Sequence, residues 1–459
     1  MNRLLKPFFF FVSFSMFFAA RANISMPEIF SGNMVLQQNS DVKIWGWAKP
    51  GEPVKLSADW LNSEIETKAD NQGTWSLQLK TPKAGGPYTV RLKGFNEIVF
   101  ENVLIGEVWL CSGQSNMEWT ANSGITNKEE AIAKANYPEI RLFTVSHSTA
   151  KYPQNHCTGE WKVCTPATMS EFSAIGYFFG KRLKEALDVP IGLINSSWGG
   201  TPAEAWMPEE VIMEDDFLKK AASEQKPVPW GPVEPARIYN SMIAPLVPFQ
   251  MAGAIWYQGE GNTINPYAYK ELLETLITSW RKDWNNDFPF YFAQIAPYKY
   301  GDNYTGVEVR DEQRQALELK NTGMVILSDI GDTTDIHPKN KLDAGIRFAN
   351  MALNRHYNVI DVEDSGPLFK AMAVDKNKAV ISFTHANGLY TTDKKVSCFE
   401  VAGSDGIFYP AEAKIEGETV VLKSKKVDAP KSVRFAWRNT ATPQLFNSAN
   451  LPASSFITQ

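Results

Sequence analysis

Three segments of the chain differ in how apolar and polar residues alternate. From residue 26 to 102, short alternating runs such as DVKIWGWA, VKLSADW and TWSLQLK are separated by turn sequences such as KPGEP, DNQG and AGGP. Alternation with period two predicts half-buried strands, and regularly spaced turns are typical of a β-sandwich. We therefore expect an N-terminal β-sandwich domain over residues 23–102.

The middle of the chain, residues 103–357, alternates between strands and helices. The predicted strands are 103–111, 140–145, 191–198, 251–258, 290–296 and 323–329. The helical patterns include KEEAIAKA, SAIGYFFGKRLKEAL, AYKELLETLITSWRKDW, EQRQALEL and LDAGIRFANMALNRHY. Strands that are apolar throughout are typical of parallel strands covered on both faces. The alternation predicts an α/β domain with a doubly wound parallel sheet, in which ligands bind beyond the carboxyl ends of the strands.

After this region the chain returns to short strands and turns, including AVISFTH, SCFEV, AKIEGETVVLKSK and SVRFAW. This pattern predicts a C-terminal β-rich domain over residues 358–459. The pattern fits either a second β-sandwich or strands that pack on the first one.

The first 22 residues have the pattern of a signal peptide. Arg3 and Lys6 precede an apolar run over 8–20, and Ala20 and Ala22 are the small residues that a signal peptidase reads. The run is shorter than the about 20 residues that a membrane span needs. We expect an exported protein, periplasmic or secreted, with no membrane segment after removal of the signal.

The net charge of the chain limits the classes of partner that it can bind. The full chain of 459 residues has a net charge of −5; without its first 22 residues, 43 basic face 51 acidic residues, which gives −8. An acidic chain has no long-range attraction to phosphate backbones, so nucleic acid is excluded as the main partner.

Four cysteines are too few for a disulfide scaffold. Cys157 and Cys164 are close enough in sequence to form one bridge, with two free buried thiols as the equal alternative.

Small polar turns follow three of the predicted strands. The first strand leads into Ser115, where a Gly-containing turn can expose a hydroxyl and aim backbone N–H groups at an oxyanion. The third leads into Gly199 and Gly200, and the fourth into a tight loop with the amides of Gln258 and Asn262. Because such turns meet at one edge of a parallel sheet, together they favour an active site over ordinary turns.

A serine nucleophile needs an imidazole base that a carboxylate orients. Of the five histidines, His337 alone follows a sheet strand beside acids, with Asp332 and Asp335 just before it, whereas His147 has no carboxylate near it in sequence. Asp329, Asp332 and Asp335 could instead bind calcium, but they lack the alternating ligands of a loop site. We expect neither a metal nor a cofactor.

Four sequence blocks resemble the sialate O-acetylesterases of the SGNH-like carbohydrate esterases. They are GEVWLCSGQSNMEW (106–119), IGLINSSWGGTPAEAW (191–206), WYQGEGN (256–262) and DIHPKNK (335–341). The likeness extends into both flanking β-regions through NMVLQ, GGPYTV and NLPASSF. The resemblance implies an SGNH-hydrolase-like fold for the middle region.

The resemblance also implies roles for single residues. Ser115 would be the nucleophile and His337 the base. The oxyanion hole would use the Ser115 N–H, a backbone N–H of Gly199 or Gly200, and the side chain of Gln258 or Asn262. The superfamily places an Asp three residues before the His, where this chain has Thr334. Asp335 is then the best orienting acid and Asp332 the second choice, and a backbone carbonyl could take that role instead.

The implied function is a serine esterase that removes O-acetyl groups from sugars, with sialic acids as the first substrate class. Acetyl-xylan or another acetylated polysaccharide is the alternative substrate. Trp198, Trp256 and Tyr257 flank the blocks and could stack on a sugar, although each, like Trp206, could equally be a core residue.

Two other functions compete with this interpretation. A glycoside hydrolase could use Glu118, Glu260 and Asp335 as its carboxylates. A non-catalytic glycan-binding protein would also suit two β-regions with many aromatic residues. Oligomeric state stays open at this level.

Overall fold

The computed structural model describes residues 23–458. The predicted signal peptide lies outside these residues. No helix in the described range has the length and apolar character that crossing a membrane requires.

The N-terminal β-region consists of short strands followed by one long strand. Its strands are β1 (Val35–Gln37), β2 (Asp41–Trp47), β3 (Pro53–Ala58), β4 (Ile65–Lys68), β5 (Thr74–Lys80), β6 (Gly85–Lys93) and β7 (Glu97–Gly113). β5 alternates between exposed and buried residues along its whole length, as the sequence pattern predicts. β2 pairs with β5 in antiparallel register, and its last residue, Trp47, also bridges to Ser25.

The long strand β7 belongs to two layers. Its first part pairs antiparallel with β6, and its second part lies in the centre of a parallel sheet. The predicted boundary between residues 102 and 103 therefore falls inside one continuous strand. The buried carboxylate of Glu107 ties the two layers together, since it accepts hydrogen bonds from Gln37, Gln38 and the Tyr357 hydroxyl at 3.0, 2.7 and 2.8 Å.

The central sheet has the order β13-β12-β11-β7-β10-β8-β9, parallel except for the edge strand β9. The added strands are β8 (Tyr137–Thr144), β9 (Trp161–Cys164), β10 (Ile191–Ser197), β11 (Gly253–Tyr257), β12 (Phe290–Ala293) and β13 (Thr322–Val325). Every residue of β10, β11 and β12 is buried. The mixed α/β class predicted from the continuous apolar runs is thus confirmed.

Helices cover the sheet. They are α1 (Ser115–Glu118), α2 (Lys128–Ala133), α3 (Pro166–Ser170), α4 (Ala174–Leu187), α5 (Glu209–Met213), α6 (Asp216–Ser223), α7 (Tyr269–Trp284), α8 (Thr305–Gln315) and α9 (Lys341–Arg355). Trp109 of β7 contacts Phe179 of α4, whereas Trp256 of β11 contacts Trp280 of α7. Trp109 is paired in register with Gly253, three residues before Trp256. Because strand side chains alternate, α4 and α7 lie on opposite faces.

Helix α8 begins at Thr305, seven residues before the predicted EQRQALEL segment. Its buried face contains Arg310 and Gln313, which donate to backbone carbonyls, including that of Asn439 at 3.1 Å and that of Ala293 at 3.0 Å. Because this buried face mixes Val307 and Val309 with polar side chains, hydrophobic periodicity alone could not locate the start of the helix.

The C-terminal region forms its own sheets around a separate apolar cluster. The strands are β14 (Leu368–Asp375), β15 (Lys378–Thr384), β16 (Tyr390–Thr391), β17 (Phe399–Ala402), β18 (Phe408–Pro410), β19 (Glu412–Glu416), β20 (Thr419–Lys423), β21 (Ser432–Phe435), β22 (Leu445–Phe446) and β23 (Phe456–Ile457). The C-terminal strands thus pair with one another and not with the strands of the N-terminal β-region.

All four cysteines lie in the described range and all are free thiols. Cys157 and Cys164 are buried, and burial raises the pKa of each thiol to about 12. The structure thus has the alternative of two free buried thiols rather than the bridge.

Candidate active site

Three parallel strands of the central sheet end at the same level. Gly113 at the end of β7 is paired with Ser197 at the end of β10 and with Tyr257 at the end of β11. A Cβ atom at Gly113, which has φ 133°, would lie 2.2 Å from the Tyr257 carbonyl oxygen. Only glycine fits there, and this close approach lets the three following turns meet at one edge of the sheet.

The predicted nucleophile and base meet at this edge. Ser115 is the first residue of α1, and the Nε2 atom of His337, in the loop between β13 and α9, lies 2.9 Å from Ser115 Oγ. The imidazole stacks on the ring of Trp119 with 4.3 Å between centroids and 19° between planes. Ser115 and His337 line the same pocket, which has a volume of about 640 Å³. The geometry suits proton transfer from the hydroxyl to the ring.

The acid expected to orient the imidazole is only loosely placed. Asp335 Oδ1 accepts the backbone N–H of His337 at 2.9 Å but lies 3.8 Å from the ring nitrogen Nδ1, which is beyond hydrogen-bond distance. The Asp335 side chain is 44% exposed. Asp332 is exposed, and its carboxylate accepts from Thr334 instead of the imidazole.

The three aspartates considered as calcium ligands do not form a cluster of carboxylates. Asp329 forms an ion pair with Arg347 at 2.6 Å, and Asp332 caps its own loop. In residues 23–458 one group of three potential ligands lies close together, Glu363, Asp364 and His385, far along the chain from this loop. In that group, Asp364 is paired with Arg355 and Glu363 with His385.

The two glycines after β10 differ in what their N–H groups contact. The Gly199 N–H donates to Glu118 Oε2 at 2.7 Å, so a carboxylate already occupies it. The Gly200 N–H and the Ser115 N–H have no acceptor among the described residues. Gly200, with φ 72°, packs against the ring of Trp230, where a Cβ would lie 2.1 Å from ring atoms. Of the predicted backbone donors, Gly200 and Ser115 are therefore free in the pocket.

The side chains of Gln258 and Asn262 point away from the pocket. Both residues are fully buried, and Gln258 Nε2 donates to the Thr201 carbonyl at 3.2 Å and to Asn262 Oδ1 at 2.7 Å. Asn262 Nδ2 donates to the buried carboxylate of Glu204 at 2.8 Å. The structure does not bring either amide to Ser115, because both satisfy buried polar groups behind the loop.

A different amide lines the pocket. The side chain of Gln114 accepts the Gly261 N–H at 3.0 Å through Oε1, and its Nε2 has no acceptor among residues 23–458. Gln114 directly precedes Ser115, the predicted nucleophile, and that adjacency is the signal in the sequence that points to it.

Of the three aromatic residues predicted to contact a sugar, one lines the pocket and two are buried in the core. Trp198 lines the pocket, whereas Trp256 and Tyr257 are 0% and 1% exposed and do not line it. They lie on a central strand buried on both faces, which explains their place in the core. Trp230, which no sequence pattern indicates, is 61% exposed and also lines the pocket, and its carbonyl accepts a hydrogen bond from Trp198 Nε1 at 2.9 Å.

His147 also belongs to the pocket, although no carboxylate lies near it in sequence. Its Nε2 atom is 2.9 Å from Glu118 Oε1 and 3.0 Å from the Ser197 carbonyl, and the ring stacks on Trp198 at 4.2 Å. The hydrogen bond with Glu118 raises the pKa of His147 above its usual range. The strand order brings Glu118 to this histidine, and spacing along the sequence does not indicate the contact.

The surroundings of His337 lower its pKa, whereas those of His147 raise it. Burial lowers the pKa of this imidazole, the nearby Lys341 ammonium lowers it further, and Asp335 acts against both. A lowered pKa favours the neutral imidazole, which is the form that accepts a proton from serine.

Comparison with known proteins identifies the family. Residues 105–354, more than half of the chain, match the carbohydrate esterase family described as sialic acid-specific acetylesterase. The chain belongs to this family. The esterase is 37% identical to a carbohydrate acetylesterase from Xanthomonas citri of known structure, with a TM-score of 0.87 over 95% of this chain and 99% of that one.

Curated relatives support the same assignment. The sialate O-acetylesterase of Homo sapiens is 27% identical to the esterase, and the match covers 81% of this chain and 78% of the human protein. That of Mus musculus is also 27% identical, over 93% of this chain and 92% of the mouse protein. The resemblance read from the four blocks is confirmed, and the protein is a carboxylic ester hydrolase. Family membership favours ester hydrolysis over glycoside hydrolysis and over glycan binding alone.

The pair of Glu118 and His147 gives a testable titration. Replacing Glu118→Gln removes the carboxylate that raises the pKa of His147, so the imidazole should lose its proton at lower pH than in the wild type. NMR titration of labelled histidine, with the resonance assigned from His147→Asn, measures the change. The exposed Glu234→Gln is the matched control, and an unmoved His147 titration in Glu118→Gln would contradict the assignment.

Proposed function

We propose that this esterase removes O-acetyl groups from sugars, with O-acetylated sialic acids as preferred substrates. The observation that carries the proposal is the 2.9 Å contact between Ser115 Oγ and His337 Nε2 inside an open pocket. The family description and the curated sialate O-acetylesterases support the substrate class.

The mechanism follows from this contact. Ser115 Oγ attacks the acetyl carbonyl carbon while His337 Nε2 accepts the hydroxyl proton. The tetrahedral intermediate collapses, the bond between the acetyl carbon and the sugar oxygen breaks, and His337 returns the proton to the sugar oxygen. Water then attacks the acetyl-enzyme with His337 again as base, which releases acetate and restores the Ser115 hydroxyl.

We assign the oxyanion hole to the backbone N–H groups of Ser115 and Gly200. The support is that both lie at the pocket and neither has another acceptor within the described part of the chain. Each donor in such a hole contributes about 100- to 1000-fold to kcat. The Gly199 N–H is a poorer candidate because Glu118 holds it.

The pocket wall carries groups that suit an acidic sugar. Lys226 is exposed at the rim, where its ammonium can pair with the carboxylate of a sialic acid. Trp198 and the exposed Trp230 offer apolar faces for the sugar ring. A neutral polysaccharide would use the aromatic faces but would gain nothing from Lys226.

We propose an SGNH-hydrolase-like catalytic domain over residues 103–357, which shares the continuous strand β7 with a β-sandwich at 23–102 and is followed by a β-rich domain at 358–459. The parallel sheet with helices on both faces, and a serine two residues after the end of its central strand, support this division. The family match over 105–354 and the separate C-terminal apolar cluster agree with it.

We further propose that the protein is exported and that the first 22 residues are removed. The basic residues and the apolar run at the N-terminus support this. The intact mass of the protein recovered from periplasm or medium should match a chain that begins at Asn23. Recovery of the full-length mass from the cytoplasm alone would contradict export.

Removing the nucleophile tests the mechanism. Ser115→Ala should lower kcat for a nitrophenyl acetate on the order of a million-fold, by analogy with serine proteases. Ser123→Ala, which removes a hydroxyl outside the pocket, is the control and should retain activity. Wild-type turnover by a folded Ser115→Ala protein would end the proposal.

The substrate class is tested by acetate release from 9-O-acetyl sialic acid, acetyl-xylan and acetyl-pectin. We expect the highest kcat/KM with the sialic acid. Lys226→Ala should raise KM for that substrate about 2- to 5-fold, as an exposed ion pair is worth roughly up to 1 kcal/mol, and leave a nitrophenyl acetate unaffected. The exposed Lys425→Ala is the matched control. A preference for acetyl-xylan or acetyl-pectin, with no effect of Lys226, would assign the esterase to neutral or plant polysaccharides.

A further inference from the structure

A single buried amide connects the nucleophile to the loop of the base. Asn116 follows Ser115 in α1 and is fully buried. Its Nδ2 donates to Glu260 Oε1 at 2.7 Å and to the carbonyl of Ile336, next to His337, at 3.0 Å. Its Oδ1 accepts from Lys341 Nζ at 2.5 Å. Because both N–H groups and the oxygen are used, the amide plane is held in one orientation.

Lys341 is a buried cation at the start of α9. It is 2% exposed, and its ammonium lies 5.9 Å from the ring centres of Trp119 and Tyr257. Burial lowers the pKa of Lys341 to about 7, and the Glu260 carboxylate acts against this effect. Burial likewise raises the pKa of Glu260 to about 7. Glu260 is the counter-charge of Lys341, joined to it through the Asn116 amide.

The orienting acid of a conventional triad does not account for how His337 is held. Asp335 binds the backbone of His337 and lies beyond hydrogen-bond distance of the ring. The ring itself rests on Trp119, and Lys341 lies near the same Trp119 ring. Asn116 anchors the residue before His337. The loop of the base is thus fixed from the side of the nucleophile helix.

We propose that Lys341, acting through Asn116 and with Glu260 as its counter-charge, is a positioning unit that holds His337 against Ser115. The proposal rests on the proposed ester hydrolysis by Ser115 and His337. Asn116 supplies the mechanical link, and the Lys341 ammonium supplies the charge.

The charge of Lys341 serves both proton transfers. The charged and titratable groups around the imidazole are Asp335 on its own loop, Lys341 on α9 with Glu260 behind it, and Glu118 with His147 across the pocket. A cation beside the ring disfavours the imidazolium. The ring is therefore neutral when it takes the serine proton, and it becomes a stronger acid when it must protonate the sugar oxygen, a poor leaving group.

The pH profile of kcat/KM distinguishes this unit from a merely structural role. The acidic limb reports the protonation of the free enzyme's base. Lys341→Met removes the cation and should move that limb to higher pH, whereas Asp335→Asn removes the anion and should move it to lower pH. The exposed Lys339→Met, in the same loop, is the matched control and should leave the limb in place.

Two further variants keep the test decisive. Lys341→Met with Glu260→Gln leaves no unpaired buried charge, so it should fold and show the same shift to higher pH. Asn116→Ala should lower kcat about 100-fold, the loss typical of a small misplacement of reacting groups, with KM for a nitrophenyl acetate little changed.

An unmoved acidic limb in the folded double variant would overturn the inference. A shift in the same direction for Lys341→Met and Asp335→Asn would also overturn it. Ser115→Ala, measured in parallel, separates the two proposals: if it retains activity, the ester mechanism itself is wrong, and if it is inactive while the limb stays in place, only the positioning unit is wrong.

Discussion

The common level at which β10, β7 and β11 end is the constraint on which the site depends. Gly113 pairs with Ser197 on one side and Tyr257 on the other, and the Gln114 N–H then donates to the Tyr257 carbonyl at 2.9 Å. A side chain at position 113 would collide with that carbonyl. A slip of one residue in either pairing would turn the following residues to the other face and separate the turns that now converge.

The charged groups around the site are matched in pairs on two sides of His337. Glu118 and His147 face the solvent side of the pocket, where Glu118 also holds the Gly199 N–H. Glu260 and Lys341 lie beneath the loop that carries His337, and Asn116 joins them. Glu118 contacts His147 directly, whereas Glu260 reaches Lys341 only through the Asn116 amide, and Glu260 Oε2 has no hydrogen-bond partner among the described residues. The imidazole of His337 lies between the pairs, and no acid in residues 23–458 is within hydrogen-bond distance of its ring nitrogens.

The sequence indicated some site residues better than others, and the difference has a physical basis. Ser115 and His337 could be placed because each follows a strand of one parallel sheet, and strand ends share an edge. Gln258 and Asn262 follow a strand of the same sheet, yet their amides turn inward to the Thr201 carbonyl and to Glu204. A loop's position can be inferred from topology, but the direction of its side chains depends on which buried polar groups need a partner.

The sequence by itself determined the α/β alternation, the order of the four blocks and the family, because these follow from local periodicity and from contiguous motifs. The tertiary structure decided which groups meet: His147 with Glu118, Lys341 with Asn116, and the exposed Trp230 with Gly200. These contacts join segments that are distant along the chain. These contacts depend on strand order, on register and on the hydrogen bonding of buried polar atoms. The pattern of residues along the chain does not contain this information.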